Sequence, residues 1–348
     1  MGLRLARIAL WIAGVAAIIF LLDLVGIPVS DWIRTLFDKI AQVPPGAVVG
    51  GVVLETLQTT LAALAWLGIL RAAFPNAGIS FRMVLASYAA AVAMNSFLPA
   101  NIGTWAMLIM FTALIAGATF PAVFSGLLVQ KIPFSVFNIA LYLYLFLSVS
   151  SSLSVDLGVV SDHPIAVATI AVGAVVLLAL LARVFWRRAE KLRAELVAGG
   201  AILRTPRKAL ITVALPELGS YLARLGIVAV FLGAYGIPVT FHNVATVTAS
   251  NSVANSVAVT PGGIGVTQAA NTAALRDSAS ASDATAYSVA QQLIVSAWDA
   301  VFAVVVVSWA FGWSGGKELV ESSYGEAKVK TQEMKEQRAA KKRARSEV

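Results

Sequence analysis

The chain has 348 residues, of which 59% are hydrophobic and only 13% charged, with a mean hydropathy of +0.82. Soluble domains carry about 25% charged residues, so this composition excludes an ordinary soluble protein and predicts an all-α, polytopic membrane protein. The net charge of +8 fits the basic cytoplasmic loops of membrane proteins better than it fits nucleic-acid binding. With no cysteine and two histidines, we expect no disulfide, no metal site and no cofactor.

Apolar stretches of about 20 residues recur along the chain and predict membrane-spanning helices. The first stretch follows Arg4 and Arg7 and resembles a signal peptide, but no small-residue cleavage site follows it, so we expect a retained span. Full spans are predicted near 8–27, 46–70, 125–149, 164–185, 209–236 and 284–312.

The distribution of basic residues predicts the topology, because Lys and Arg collect on the cytoplasmic side. Eight basic residues lie in or beside a central loop, 186–208, and nine lie in the tail after Gly316. We therefore expect an inner-membrane protein with cytoplasmic termini, a membrane domain over 1–312 and a charged tail over 313–348. The membrane domain divides into halves at 1–185 and 209–312. For the central loop and the tail both to lie in the cytoplasm, segments 83–118 and 241–275 must each enter and leave the membrane on the same side.

Both returning segments are interrupted by Asn-Ser followed by Pro-x-x-Ile-Gly, at Asn95, Pro99, Asn101 and Gly103 in the first and at Asn255, Pro261, Gly262, Gly263 and Gly265 in the second. Their arms at 83–98 and 264–275 are shorter than the ~20 residues that a span needs. We therefore predict two re-entrant helical hairpins in inverted-repeat halves, with a binding site at the midplane of the membrane. The alternative, that Pro and Gly only kink ordinary helices, stays open.

The residues after each break suit an anion. A helix that begins there presents unpaired N–H groups and a positive dipole end, and Gly lets a ligand approach the backbone closely. Ionisable residues inside the predicted segments are Glu55, Lys131, Glu217, Arg224 and Asp299. We predict that Lys131 and Arg224 bind a phosphate and that Glu217 binds a cationic group or neutralises Arg224. A structural ion pair is an equally weighted alternative for Glu217 and Arg224, and a structural role is favoured for Glu55 and Asp299.

The stretch 242–272 is unusually polar for buried chain and predicts a water-lined cavity. Its members include Asn251, Asn255 and Gln268. The chain contains no motif of a soluble enzyme, so we assign no catalytic residue and expect a protein that is not an enzyme.

The two interrupted motifs, Asn95-Ser-Phe-Leu-Pro-Ala-Asn-Ile-Gly and Thr260-Pro-Gly-Gly-Ile-Gly-Val-Thr-Gln, resemble the flippase-like membrane domain of lysylphosphatidylglycerol synthases, which also occurs as a stand-alone protein. The resemblance covers about 5–312. The family pattern usually has Glu after each break, where this chain has Thr104 and Gln268. The resemblance implies translocation of a lipid between leaflets. The charged tail is too short for the aminoacyl-transferase domain, so lipid aminoacylation is not expected.

The sequence therefore favours a flippase for a lipid or a lipid-linked sugar, with a membrane phospholipid or a polyprenyl-phosphate lipid as its partner and no nucleic acid. One alternative is a membrane-embedded transferase that uses a lipid-linked donor, for which Asp156 and Asp162 are the acids of one outer loop. Another is a non-transporting membrane partner of a glycosyltransferase.

Overall fold

The computed structural model describes residues 43–98, 101–150, 199–257 and 263–312, with positions 315, 322, 325 and 326 of the tail. The predicted spans 8–27 and 164–185, the basic loop up to 198 and most of the tail 313–348 lie outside the described residues. The described part is helical, which confirms the predicted all-α membrane class.

Eight helices follow one another in the described part: α1 (Pro45–Ala73), α2 (Phe81–Phe97), α3 (Ile102–Leu114), α4 (Phe120–Ser150), α5 (Pro206–Ala234), α6 (Phe241–Val257), α7 (Val266–Ala274) and α8 (Ala281–Phe311). The long helices α1, α4, α5 and α8 are apolar enough to cross a membrane. They coincide with four of the predicted full spans.

The remaining four helices form two helical hairpins, α2–α3 and α6–α7, at the two predicted breaks. Their lengths are 17, 13, 17 and 9 residues, against about 20 for a span. Both hairpins lie between long helices: α2 and α8 pack together extensively, and α6 packs on α4.

Local sequence signals explain where the helices begin and end. α1 begins at Pro45, whose missing N–H costs nothing in a first turn. Ser80 and Ser280 cap α2 and α8 by accepting a hydrogen bond from a backbone N–H of the first turn. Arg71, in the last turn of α1, holds the following loop by donating two hydrogen bonds to the Ile79 carbonyl oxygen, at 3.1 and 2.9 Å.

Small residues allow α1 and α5 to approach closely at the centre of the protein. A Cβ atom added to Gly51 would lie 2.6 Å from the Phe231 ring, and one added to Gly68 would lie 2.7 Å from the Thr212 carbonyl oxygen. Thr212 belongs to a π-helical turn of α5, Leu210–Ala214. Lipid provides no hydrophobic driving force between helices, so close backbone contact of this kind holds membrane helices together.

Helix contacts in the second half repeat those of the first. We match α1, α2, α3 and α4 in order with α5, α6, α7 and α8. Each extensive contact between two helices then has a counterpart between the two matching helices. The contact between α1 and α2 corresponds to that between α5 and α6, and the contact between α2 and α8 corresponds to that between α6 and α4. The α1–α5 contact corresponds to itself. Each of these contacts in the described part thus has a counterpart after the exchange of α1–α4 with α5–α8.

Candidate functional site: a polar cavity between the two hairpins

A cavity of about 390 Å³ lies where the two hairpins meet the long helices. Its lining comes from α1, α2, α5, α6, α7 and α8 and from both hairpin tips. We call it the central cavity. Gln58 and Ser296 lie near the middle of α1 and α8, so the cavity opens within the length of the spans rather than at their ends.

The tip of each hairpin contains a residue with positive φ that lines the central cavity. Asn101 at the first tip has φ 55°, and Gly263 at the second has φ 71°. Asn and Gly tolerate this left-handed conformation better than other residues do, which explains their place at the break. Both short helices, α3 and α7, begin directly after these tips.

Gly103 serves packing within the first hairpin. A Cβ atom at this position would lie 2.1 Å from the Ala91 carbonyl oxygen and 2.8 Å from Asn95 Oδ1. Asn95 also donates a hydrogen bond to Thr104 Oγ1, at 3.1 Å. Gly103 therefore lets α3 start in direct contact with α2.

The Gln268 side chain joins the second tip to the first turn of α7 and to α8. Its Oε1 accepts a hydrogen bond from the Gly265 N–H at 2.6 Å, and its Nε2 donates to Gln292 Oε1 of α8 at 2.5 Å. Gly265 and Gln268 line a separate, open cavity of about 730 Å³ on α7 and α8, together with Arg276. The position where the family pattern usually has Glu thus holds an amide that orders the start of α7.

A smaller cavity of about 160 Å³ adjoins the central one and contains Lys131, Glu217 and Arg224. Arg224 and Gln58 line both cavities. Buried Glu217 accepts a hydrogen bond from Gln130 Nε2 at 2.8 Å. Lys131 and Arg224 lie over the Phe134 ring, 5.3 and 5.7 Å from its centroid. Two cations thus lie over one aromatic ring, and one of them, Arg224, also lines the central cavity.

A pair of buried carboxyl groups links α1 to α8 beside the central cavity. Glu55 accepts a hydrogen bond from Thr59 Oγ1 at 3.2 Å, and Asp299 accepts one from Ser96 Oγ at 2.8 Å. Glu55 and Asp299 lie next to each other.

The structure brings part of the predicted site together. Five predicted residues line the central cavity: Asn95, Asn101, Arg224, Asn251 and Gly263. Lys131 and Glu217 lie in the adjoining cavity, and Gly103, Gly265 and Gln268 occupy the places described above. Asn255 lies in the last turn of α6, and its side chain is outside the described part. Pro99, Pro261 and Gly262 also lie outside the described residues.

Sequence reasoning missed several polar residues of the central cavity, most of them on α8. They are Gln58, Ser288, Gln291, Gln292 and Ser296. Within α8 these positions, with Asp299, follow one another at helical spacing along one face. A stripe of amides and hydroxyls through an otherwise apolar span is the signal that could have identified them.

These features define a polytopic membrane protein with two interrupted hairpins around a polar cavity. The family model for the lysylphosphatidylglycerol synthase TM region matches residues 8–298, and the chain belongs to this family. The match confirms the family resemblance carried by the two interrupted motifs. No curated protein and no solved structure matches the chain.

Proposed function

We propose that the protein moves the headgroup of an anionic lipid, or of a lipid-linked sugar, between the two leaflets of the cell membrane. The observation that carries this proposal is the central cavity, where both hairpin tips and Arg224 meet within the length of the spans. The headgroup would pass through this polar cavity while the lipid tails stay in the bilayer. The family is defined by a membrane region of lipid-related proteins, which agrees with a lipid substrate.

The paired helix contacts support two inverted halves. Each short hairpin has a counterpart in the other half, and the contact between α1 and α5 would lie on the axis that relates the halves. Inverted repeats with interrupted helices place the substrate site at the repeat interface, and the two halves can rock against each other around it. In the proposed topology both termini lie in the cytoplasm, and the hairpins enter from opposite sides.

Arg224 supplies the positive charge that an anionic headgroup requires. A charged residue inside a membrane protein is costly, and such residues are retained mainly where they serve a substrate pathway. Lys131 lies over the same Phe134 ring as Arg224, and Glu217 in the adjoining cavity offsets part of the combined charge. The starts of α3 and α7 at the two tips would add partial positive charge from their N–H groups.

The test is reconstitution of the purified protein in vesicles that contain fluorescent lipids, with quenching of the outer leaflet to measure translocation. Arg224→Gln removes the charge but keeps a polar side chain of similar length. The lost charge-assisted hydrogen bond is worth about 1.5–3 kcal/mol, so the translocation rate of an anionic lipid should fall by roughly ten- to a hundredfold. Arg276→Gln, at a side chain that is 80% exposed, is the matched control and should leave the rate unchanged.

Three results would contradict the proposal. If Arg224→Gln protein that elutes as a single species translocates lipid normally, Arg224 does not bind the headgroup. If the wild type translocates no anionic lipid, the interpretation as a partner of a glycosyltransferase becomes the better one. If it converts a lipid-linked donor into a new product, as mass spectrometry would show, the transferase interpretation replaces the flippase.

A further inference from the structure

Six side chains that line the central cavity, together called the amide ring, each have a buried polar atom without a hydrogen-bond partner among the described residues. These atoms are Gln58 Oε1, Asn95 Oδ1, Asn251 Oδ1, Thr267 Oγ1, Asn271 Oδ1 and Gln291 Oε1. They come from five helices in both halves of the chain, so local sequence bias does not explain them. All but one belong to amide groups of side chains that line the cavity, and an amide carries both N–H donors and a carbonyl acceptor.

The cost of such a ring shows that the cavity is built for a polar occupant. A buried polar atom left without a hydrogen bond is destabilising, and six such atoms beside one cavity would remove a large part of the stability of an ordinary folded protein. The volume of 390 Å³ holds about a dozen waters at the density of the liquid. A headgroup that enters this volume gives up hydrogen bonds to water, so the cavity must offer hydrogen bonds in exchange.

We infer that the cavity selects headgroups that carry several hydroxyl groups, a polyol or sugar attached through a phosphate. This inference rests on the proposed function and specifies its substrate class. An amide both donates and accepts hydrogen bonds, and so does a hydroxyl group, so a ring of amides matches a ring of hydroxyls. A phosphate has only acceptors, and Arg224 serves it on the α5 side of the cavity.

The carboxyl groups argue against an amino headgroup. A cationic amine would need a carboxylate that is free to face it. Glu55 is the carboxyl group in the described lining of the central cavity, where it accepts a hydrogen bond from Thr59 and lies next to Asp299. Asp299 in turn accepts from Ser96. The polar atoms left over for the substrate are therefore amide and hydroxyl groups rather than acids.

The experiment compares three acyl-labelled fluorescent lipids in the same vesicle assay. Phosphatidylinositol carries a phosphate and a polyol, phosphatidic acid carries the phosphate alone, and phosphatidylethanolamine carries an amine. We expect the full-length wild type to move phosphatidylinositol at least about tenfold faster than the other two, the equivalent of one to two net hydrogen bonds. Equal rates, or a preference for phosphatidylethanolamine, would overturn the inference.

Two substitutions on different helices test the amide ring itself. Asn251→Leu and Gln291→Met keep side-chain size and remove the amide, so the preference for phosphatidylinositol should fall below about threefold while phosphatidic acid moves as before. Thr246→Val on the same helix as Asn251 is the control and should keep the preference. Persistence of the preference in every amide variant that folds would refute the role of the ring, so the test holds even if only one of the two variants folds.

Two further outcomes separate this inference from the proposed function. If the wild type moves phosphatidylinositol and phosphatidic acid at one equal rate, the flippase proposal stands and the headgroup inference is lost. If it moves none of the three lipids, both are lost. Uptake of free inositol phosphate into lipid vesicles would instead indicate a soluble substrate with the same chemistry, and would also overturn the lipid assignment.

Discussion

The close contact at Gly103 gives a prediction with a magnitude, because the position of the added atom is known. In Gly103→Ala the new Cβ would lie 2.1 Å from the Ala91 carbonyl oxygen, where an ordinary contact is about 3.5 Å. The obstacle is backbone rather than a flexible side chain, so α2 and α3 must separate by about 1 Å. Overpacking of this kind costs about 1–3 kcal/mol. The substitution also recovers about 0.5–1 kcal/mol, because alanine favours a helix over glycine.

The net prediction is a loss of about 1–2 kcal/mol in the free energy of unfolding. Gly46→Ala is the matched control, since Gly46 occupies the same second position of α1 and has nothing within 4 Å of its added Cβ. The control should gain up to about 1 kcal/mol from the same helix preference. The helix preference cancels between the two variants, so their difference should equal the overpacking cost of about 1–3 kcal/mol.

The measurement is unfolding of the purified protein in mixed micelles by titration with SDS, followed by tryptophan fluorescence. Each variant is compared with the wild type at equal detergent concentration. If Gly103→Ala unfolds at the same SDS fraction as Gly46→Ala, the hairpin arms are not in the contact described and the packing argument is wrong. A lower stability of both variants would point to a helix effect and not to the Ala91 contact.

Two further predictions concern the carboxyl pair and the topology. The free energy of unfolding of Glu55→Gln should be close to that of the wild type, because the new amide can donate a hydrogen bond to Asp299. Glu55→Leu should lose about 1–3 kcal/mol, because it leaves the buried carboxyl group of Asp299 without this neighbour. Equal stability of the two variants in SDS titration would refute the pairing. The chain lacks cysteine, so single cysteines at Thr240 and Ser280 should both react with a membrane-impermeant maleimide from one face, and one at Thr119 from the other. Labelling of positions 240 and 280 from opposite faces would rule out a re-entrant α6–α7 hairpin.

The sequence by itself determined the class of the protein and the places where its membrane segments break. Four predicted spans and both interruptions coincide with helices and tips of the structure. These features are local: a membrane requires about 20 apolar residues for each span, and Asn101 and Gly263 can adopt positive φ where most residues cannot. Such constraints act on neighbouring residues, so they can be recognised without knowing what packs against them.

The tertiary structure decided which polar residues share a cavity. Gly103 and Gly265 occupy equivalent places in the two motifs, yet one packs against Ala91 and the other is held by Gln268. Gln58 carries no local signal that distinguishes a cavity from lipid. The face that each helix turns inward depends on close contacts with other helices, such as that between α1 and α5. Those contacts join residues far apart in the chain, so only the packed helices reveal them.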